Sequence, residues 1–409
     1  MKISVFGLGY VGAVTTACLA REGHTVVGVD INPDKVARIA RGESPIIEAG
    51  LPELLTAGVK AGRISATTSA LDAVKATDVS LVSVATPSKA DGSLDLTALH
   101  AVCHQIGEAV AAKRTELVVA IRSTVFPGTT TQCSELFGDN VHVAFNPEFL
   151  REGAALRDFD APAYTVIGTT DPVAEAALRQ LYATVHAPIF VTEPAVAELI
   201  KLASNAWHAT KVCFANEIGR LAANAGADGR KVMEIFAQDT KLNVSPTYLR
   251  PGFAFGGSCL PKDVRSLTSF ARLQNVEVPL LASLARTNQL QIELAVERVL
   301  ATGKRRVGLL GLAFKPGTDD LRESPAVELA ERLMGKGCEV RILDNAVREA
   351  KLIGANREYI EKKIPHLTSL LVADAADLFR HAEVIVVAHD TAEFRALAQQ
   401  AGVPVLNLA

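Results

Sequence analysis

Apolar positions along this chain follow two rhythms. In the first part, the short β-branched runs Lys2–Leu8, Thr25–Asp30, Val79–Thr86, Leu117–Thr124 and His142–Glu148 read as strands. Their near-continuous apolar character predicts parallel strands covered on both faces. Helical stretches, Val11–Arg21, Pro33–Arg41 and Leu94–Ala112, lie between them, and Tyr164–Gly168 and Ile189–Thr192 complete the set. Such alternation predicts a doubly wound sheet. From Pro194 to about Ala225 the period is helical without an interrupting proline. Asp228–Gln238, a loop rich in Gly, Pro and Ser near Asn243–Pro261, and a second helical tract from Asp263 to about Ala301 come next. After Gly303 the strand–helix rhythm resumes with strands Arg306–Leu312, Glu339–Asp344 and Val384–His389, a helix over Pro325–Lys336, and a last strand at Pro404–Leu408.

Composition agrees with that layering. Of 409 residues 49% are hydrophobic, 21% charged and only 5% aromatic, which suits sheets and helices filled by Val, Leu, Ile and Ala. The length asks for two or three domains. A net charge of −3 gives no general attraction to nucleic acid or to an anionic membrane, so an anionic ligand must meet a local basic pocket. Cys18, Cys103, Cys133, Cys213, Cys259 and Cys338 contain no CxxC pair, which argues against a disulfide framework or a metal site. The start, MKISVFGLGYVG, lacks the apolar region of a signal peptide, and no run of 18 uncharged apolar residues occurs. A cytoplasmic protein with neither nucleic-acid nor membrane partner is expected.

Gly7-Leu8-Gly9-Tyr10-Val11-Gly12 fits GxGxxG directly after a strand and ahead of a helix. Gly7 permits the tight turn, Gly9 lets backbone approach a pyrophosphate, and Gly12 lets helix and strand pack closely. The helix N-terminus then offers N–H groups and partial positive charge to phosphates. Asp30 closes the second strand, where a carboxylate accepts from a ribose 2′-hydroxyl and repels a 2′-phosphate, so NAD is expected rather than NADP. Lys35 lies near enough to meet that ribose or a phosphate; a solvated helix lysine is the plain alternative. Thr86 and Thr124 close predicted strands, the edge where open α/β sheets bind ligands, though either threonine could merely end its strand. Gly308 and Gly311 echo the first motif without its spacing. The fold expected is α/β, with two Rossmann-like doubly wound domains (1–193 and 303–409) joined by a helical connector (194–302) containing a long central helix.

Lys201, Asn205 and His208 fall within about 60° of one another on that helix. Val196, Leu199, Ile200, Leu202, Trp207 and Val212 surround this stripe, which is either a solvated edge or the wall of an active site. Gly256-Gly257-Ser258-Cys259-Leu260-Pro261-Lys262-Asp263 joins the two helical tracts. A cysteine just before a helix N-terminus and close to a lysine sits where a thiolate is stabilised. The other five cysteines lack such surroundings and read as packing residues.

The segments FGLGYVG, GVD, ATPS, RSTVFPGT, NPEFLREG, IKLASNAWHATKVCFANEIG, YLRPGFAFGGSCLPKD and GLAFKPGTDDLRESP resemble the UDP-glucose/GDP-mannose dehydrogenase family. They run from the N-terminus to Pro325, with weaker similarity beyond, and Asn-Ala-Trp-His and Arg-Pro-Gly-Phe-Ala-Phe are similar to its mannose branch. The resemblance implies a four-electron oxidation of a sugar nucleotide, GDP-mannose to GDP-mannuronate, with Cys259 as nucleophile. It implies that Lys201 and Asn205 hold the oxyanion and Asp263 supports them. Glu152 with Thr124 would activate the hydrolytic water, and Glu148 is a further helper. Tyr10, Val11, Asp30, Lys35, Thr86, Thr124, Lys262 and Arg322 would contact NAD. Glu152, Lys201, Asn205, His208, Asn216, Tyr248, Arg250, Phe253, Gly256 and Lys315 would line the sugar-nucleotide site, assembled between domains and open to contributions across a dimer.

The chemistry asks for such groups. A free aldehyde is a poor hydride donor until a nucleophile adds to it, which a thiolate at Cys259 does, and the resulting alkoxide needs donors such as Lys201 and Asn205. Arg250 and Lys315 suit a pyrophosphate, although both could be ordinary surface charges, and His208 could equally be a packing histidine. Two departures stand out: Thr247 replaces the aromatic usual beside Tyr248 in the mannose branch, and the chain ends short of the family's usual tail. Alternatives are a UDP-glucose or other sugar-nucleotide 6-dehydrogenase, a one-step β-hydroxyacid dehydrogenase that needs no Cys259, and an inactive NAD-binding regulator. A product of the mannuronate type would feed an acidic exopolysaccharide. The helix from Pro194 offers a face for a homo-oligomer, dimer or higher, but a buried intrachain helix fits it equally.

Overall fold

The computed structural model describes residues 1–90, 93–113, 115–245, 252–257, 260–316, 318, 320–349 and 369–409. It divides into two compact units, Met1–Ala209 and Thr210–Ala409. In the first, β1 (Lys2–Phe6), β2 (Thr25–Val29), β3 (Ile64–Thr67), β4 (Val79–Val82), β5 (Leu117–Ile121), β6 (Val141–Phe145), β7 (Thr165–Gly168) and β8 (Ile189–Thr192) form a sheet ordered β3-β2-β1-β4-β5-β6-β7-β8. The strand order turns outward in both directions from β1 and β4, as a doubly wound sheet requires. β1 to β6 are parallel, whereas β7 meets β6 antiparallel at Phe145↔Gly168 and β8 runs parallel to β7. The hydrophobic pattern does not reveal this reversal, because a buried strand reads the same in either direction.

Alternating residues of these strands supply two cores. Ile3, Val5, Val79, Leu81, Val118 and Ala120 face the helices Tyr10–Arg21, Leu51–Lys60 and Pro172–Leu181. Phe6, Val82, Leu117, Val119 and Ile121 face Ala70–Ala76 and Thr97–Lys113. Each fully buried Leu, Ile or Phe side chain contributes about 1.5–3 kcal/mol of transfer free energy. That double burial is the physical origin of the continuous apolar runs.

The strands end sooner than those runs. The carbonyl of Val82, the last residue of β4, accepts from both Arg122 N (2.8 Å) and Ser123 N (3.1 Å). Ser83 N still donates to the Phe6 carbonyl at 2.8 Å, and the residues after it leave the ladder at the C-terminal edge of the sheet. Strand β3 and several short helices, among them Leu51–Lys60 and Ala155–Asp160, are too brief to declare a period.

In the second unit, the expected tract from Asp263 to Ala301 is two helices, Leu260–Leu273 and Pro279–Leu300. Asn275 adopts a left-handed backbone (φ 53°), and Pro279 has no N–H to continue a helix. The helix expected from Pro194 is present as Pro194–Asn224. Cys213, expected to pack, is exposed on it beside exposed Val212, because no described residue covers that helical face. A parallel sheet of β9 (Arg306–Leu310), β10 (Glu339–Leu343), β11 (Val384–Val387) and β12 (Val405–Asn407), ordered β10-β9-β11-β12, completes this unit. Again Val384 and Val386 enter one core while Ile385 and Val387 enter the other. Among the described residues no helix is long and apolar enough to cross a membrane.

Candidate active site

The glycine turn after β1 separates what the fold demands from what it leaves open. Gly7 has φ +91°, and a Cβ there would lie 2.7 Å from the Ser83 carbonyl oxygen. A Cβ on Gly12 would lie 1.7 Å from the Gly7 carbonyl oxygen, so helix and turn meet only if this residue is glycine. Gly9 differs: among the described residues nothing lies within 4 Å of a Cβ built there. Gly9 is also the N-cap of helix Tyr10–Arg21, which has neither a side-chain cap nor an acidic residue in its first turn. Among the described residues no side chain caps the turn around Tyr10, Val11 and Gly12, which thus presents N–H groups in the way a pyrophosphate needs.

Asp30 lies beside this turn. Its Oδ2 accepts from Leu8 N at 2.7 Å and its Oδ1 from Asn32 N at 2.9 Å. Lys35 Nζ is 3.5 Å from Oδ2. The carboxylate is fixed by backbone donors and keeps lone pairs for a ribose hydroxyl. Tyr10 does more than occupy the helix start: its hydroxyl donates to Glu48. Burial, and then that hydrogen bond, push the Tyr10 phenol up to about 12, while the same bond holds the Glu48 carboxyl below the usual carboxylate range.

On the same edge, Thr86 Oγ1 donates to the Thr124 carbonyl at 2.7 Å, and Ser123 Oγ donates to the Val84 carbonyl at 2.7 Å. The predicted threonines are therefore tied together where β4 and β5 end. Beyond β6, Glu148 Oε1 meets Lys201 Nζ at 3.1 Å, with Nζ 5.5 Å from the centre of the Phe149 ring. Lys201 is only 6% exposed, whereas Asn205 and His208 on the same helix are exposed. The polar stripe divides accordingly: its first member is a buried wall and its later members an open edge. A cavity of about 430 Å³ next to it is lined by Arg122, Glu148, Arg151, Tyr164, Ser204 and His208, among others. Glu152 lies exposed on the turn before helix Ala155–Asp160.

Three buried polar residues escaped the sequence reading. Arg122 Nη1 donates to Asn146 Oδ1 at 2.6 Å and to the Tyr182 hydroxyl, fixing the start of the segment that carries Glu148. Glu198, fully buried, accepts from Gly128 N (2.6 Å), Thr130 N (2.7 Å) and Thr130 Oγ1 (2.6 Å). It thereby ties the loop after Thr124 to the helix of Lys201. Glu48 is the third. The available signal was an acid within an apolar stretch: Val196-Ala197-Glu198-Leu199-Ile200 in one case and Ile46-Ile47-Glu48 in the other.

Within the second unit, the segment leading to the cysteine is clamped by helix Pro279–Leu300. Asn288 Oδ1 accepts from Phe255 N at 2.8 Å, Asn288 Nδ2 donates to Phe255 O at 2.9 Å, and Gln291 Nε2 donates to Gly252 O at 2.7 Å. Phe253 packs against the core of the C-terminal sheet. A Cβ on Gly256 would lie 2.4 Å from the Glu323 carbonyl oxygen, and one on Gly257 (φ +88°) 2.8 Å from the Phe314 ring. Lys262 and Asp263, both exposed, pair at 2.8 Å. Arg322 forks onto Asp320 at 2.9 and 2.6 Å, an engagement not foreseen, which holds the Asp320 carboxyl below its ordinary range. Lys315 and Asn216 are exposed. Cys259, Tyr248, Arg250 and Thr247 lie outside the described residues.

A helix start that no side chain of the described residues caps, set beside an acid suited to a free ribose hydroxyl, fits an NAD-binding domain. Comparison with known proteins narrows the class. Models of the UDP-glucose/GDP-mannose dehydrogenase family match at residues 1–186 (NAD binding domain), 195–290 (central domain) and 308–406 (UDP binding domain). A GDP-mannose 6-dehydrogenase of Pseudomonas savastanoi pv. phaseolicola is 50% identical over 98% of this chain and 93% of its own length. The crystal structure of a ternary complex of GDP-mannose dehydrogenase from Pseudomonas aeruginosa is similar with TM-score 0.97 and 48% identity, covering 100% of this chain and 96% of that one. A UDP-glucose dehydrogenase from Pyrobaculum islandicum gives TM-score 0.58 and 37% identity over 99% and 93%. This chain belongs to the UDP-glucose/GDP-mannose dehydrogenase family, and it is an NAD-dependent sugar-nucleotide dehydrogenase.

Proposed function

We propose that the chain oxidises C6 of the mannosyl group of GDP-mannose to a carboxylate, yielding GDP-mannuronate with two NAD reduced per sugar. The observation that carries the chemistry is the buried Lys201–Glu148 pair at 3.1 Å. Glu148 offsets the cost of burying the ammonium and fixes Nζ, and an ammonium has more donors than that one contact uses, so it can also donate to an oxyanion forming on C6. Support for the mannose substrate comes from relatives of that name at about half identity over nearly the whole chain.

Bound at Gly7–Gly12, Asp30, Lys35, Thr86 and Thr124, with Lys262 and Arg322, NAD supplies the hydride acceptor for both oxidations. The chain's own residues do the rest. Cys259 Sγ adds to the C6 aldehyde to give a thiohemiacetal, and once C6 has lost its second hydride and the hydroxyl its proton, Sγ is bonded to C6 as a thioester. Lys201 and Asn205 donate to the oxygen of each tetrahedral species, with Asp263 in support. Glu152, with Thr124, takes a proton from the water that cleaves the thioester, and Glu148 holds Lys201 Nζ in place. His208, Asn216, Tyr248, Arg250, Phe253, Gly256 and Lys315 hold the sugar nucleotide. The working domains are 1–193, 194–302 and 303–409, a division supported by the three matched segments. The exposed Leu199, Trp207 and Val212 of the long helix support a homo-oligomer, and the proposed place of action is the cytoplasm.

Incubation with GDP-mannose or UDP-glucose while following NADH tests the reading. Two NADH per GDP-mannose are expected, with Lys201→Ala slowed about 10²–10³-fold. One NADH per sugar, or preference for UDP-glucose, would overturn it.

A further inference from the structure

The turn that carries Glu152 is held by a carboxylate that the scheme above does not use. Glu48, 6% exposed, precedes the helix Leu51–Lys60. Its Oε2 accepts the Tyr10 hydroxyl and also Gly153 N at 2.8 Å, while Oε1 accepts Ala155 N at 2.9 Å. Gly153 N lies 3.0 Å from the Tyr10 hydroxyl oxygen as well, so one amide is shared by two acceptors. Helix Ala155–Asp160 begins here, and its N-cap, Ala154, offers no capping side chain. Glu48 supplies that cap from a distant part of the chain. On the other side of Glu152, Arg151 is fixed by Asp158, which accepts from its backbone N at 3.0 Å and its Nε at 2.9 Å. Both neighbours of Glu152 are thus anchored, and Glu152 itself is the exposed residue between them.

We infer that Glu48 is a positioning residue for Glu152, tying residues 153–155 to Tyr10, the first residue of the helix that opens the NAD seat. A carboxylate suits the task because it accepts at both oxygens, and here three donors converge on it. An amide in its place has one accepting oxygen, and its NH₂ group would face a backbone N–H. The inference rests on the role proposed for Glu152 in thioester hydrolysis.

Glu48→Gln, Glu152→Gln and Tyr10→Phe full-length enzymes separate the two claims. Glu152→Gln is expected to accumulate the acyl-enzyme on Cys259, read by intact mass during turnover. Glu48→Gln is expected to accumulate it too, with kcat lower by roughly tenfold to a hundredfold, an unslowed first NADH burst and an NAD Kd within about twofold of wild type. Amide hydrogen exchange at Gly153 and Ala155 is expected to quicken at least about tenfold in Glu48→Gln, and less in Tyr10→Phe. Wild-type exchange at these amides, or wild-type kcat, in Glu48→Gln overturns the inference. If Glu152→Gln turns over normally, the role of Glu152 falls, and the exchange result alone decides whether Glu48 holds the turn. Should Glu48→Gln fail to fold, unchanged exchange at Gly153 in Tyr10→Phe overturns the tether.

Discussion

The two sheets of this protein begin with the same device and put it to different ends. After β1, Gly7 N donates to the Val29 carbonyl (2.7 Å) and Leu8 N to Asp30 Oδ2 (2.7 Å). After β9, Gly311 N donates to the Leu343 carbonyl (3.0 Å) and Leu312 N to Asp344 Oδ2 (2.8 Å). Gly7 and Gly311 share a left-handed backbone, with φ of +91° and +93°. Beyond the glycine the two turns part company. The first runs straight into a helix with no side-chain cap. The second gives way to a loop, and its helix, Pro325–Gly335, is capped by Ser324 Oγ, which accepts from Ala326 N and donates to the Leu312 carbonyl. Asp344 also takes Ala313 N (3.1 Å) and Val347 N (3.2 Å). A turn whose donors are left over is a ligand seat, and one whose donors are consumed is structure. In the second unit charge is carried instead on the intervening loop, at Lys315 and Arg322.

The largest expected effect comes from making the turns fail sterically. Gly12→Ala places a Cβ 1.7 Å from a carbonyl oxygen that cannot move away without unmaking the turn, so about 3 kcal/mol or more of stability and all NAD binding should be lost. Gly311→Ala, opposed by the His389 ring at 2.4 Å and by its positive φ, should cost about 1–3 kcal/mol and spare NAD binding. Denaturant unfolding and NAD titration check both; equal effects on NAD would erase the distinction.

Next come the acids. Asp344→Ala strands three amides in a site only 7% exposed and should lose about 2–4 kcal/mol with NAD affinity intact. Asp30→Ala should cost about 1 kcal/mol of stability yet weaken NAD roughly tenfold to a hundredfold. Calorimetry of each variant with and without NAD would show the crossed pattern, and parallel losses would contradict it.

The smallest effect is one of pH. His389, which contacts the Ala313 carbonyl at 2.8 Å, has its pKa lowered from 6.5 by burial. The unfolded chain therefore binds the proton more readily. The stability from the neutral ring is present above about pH 6.5 and is lost as pH falls through the lower folded value. Melting between pH 7.5 and 5 should show a decline that His389→Gln flattens, leaving NAD affinity at pH 7.5 unchanged.

Much of the first unit was legible because its cues are local. Gly7, Gly9, Gly12 and Asp30 lie within one strand–helix–strand unit, and burial on both faces imprints continuous apolar runs on the strands. The second turn was harder to read, since Gly311 is followed by Ala313 rather than a second glycine and Asp344 looks like any strand-ending acid. The break at Asn275 was missed because the apolar rhythm on either side of it stays helical. Glu48, Arg122 and Glu198 stayed hidden because an acid's or arginine's burial depends on donors and acceptors far away in the chain.

Local sequence by itself determined the strand–helix rhythm, the glycine turn, the acid that prefers NAD and the family to which the chain belongs. Those rest on backbone sterics and side-chain periods that neighbours in sequence decide. Only the tertiary structure decided that β7 reverses direction, that Lys201 is buried against Glu148 while Asn205 and His208 stay open, and that one glycine turn keeps its N–H groups free while its counterpart spends them. The reason is that a hydrogen-bonding group is satisfied by whatever the fold brings to it, and short-range pattern carries no record of that partner.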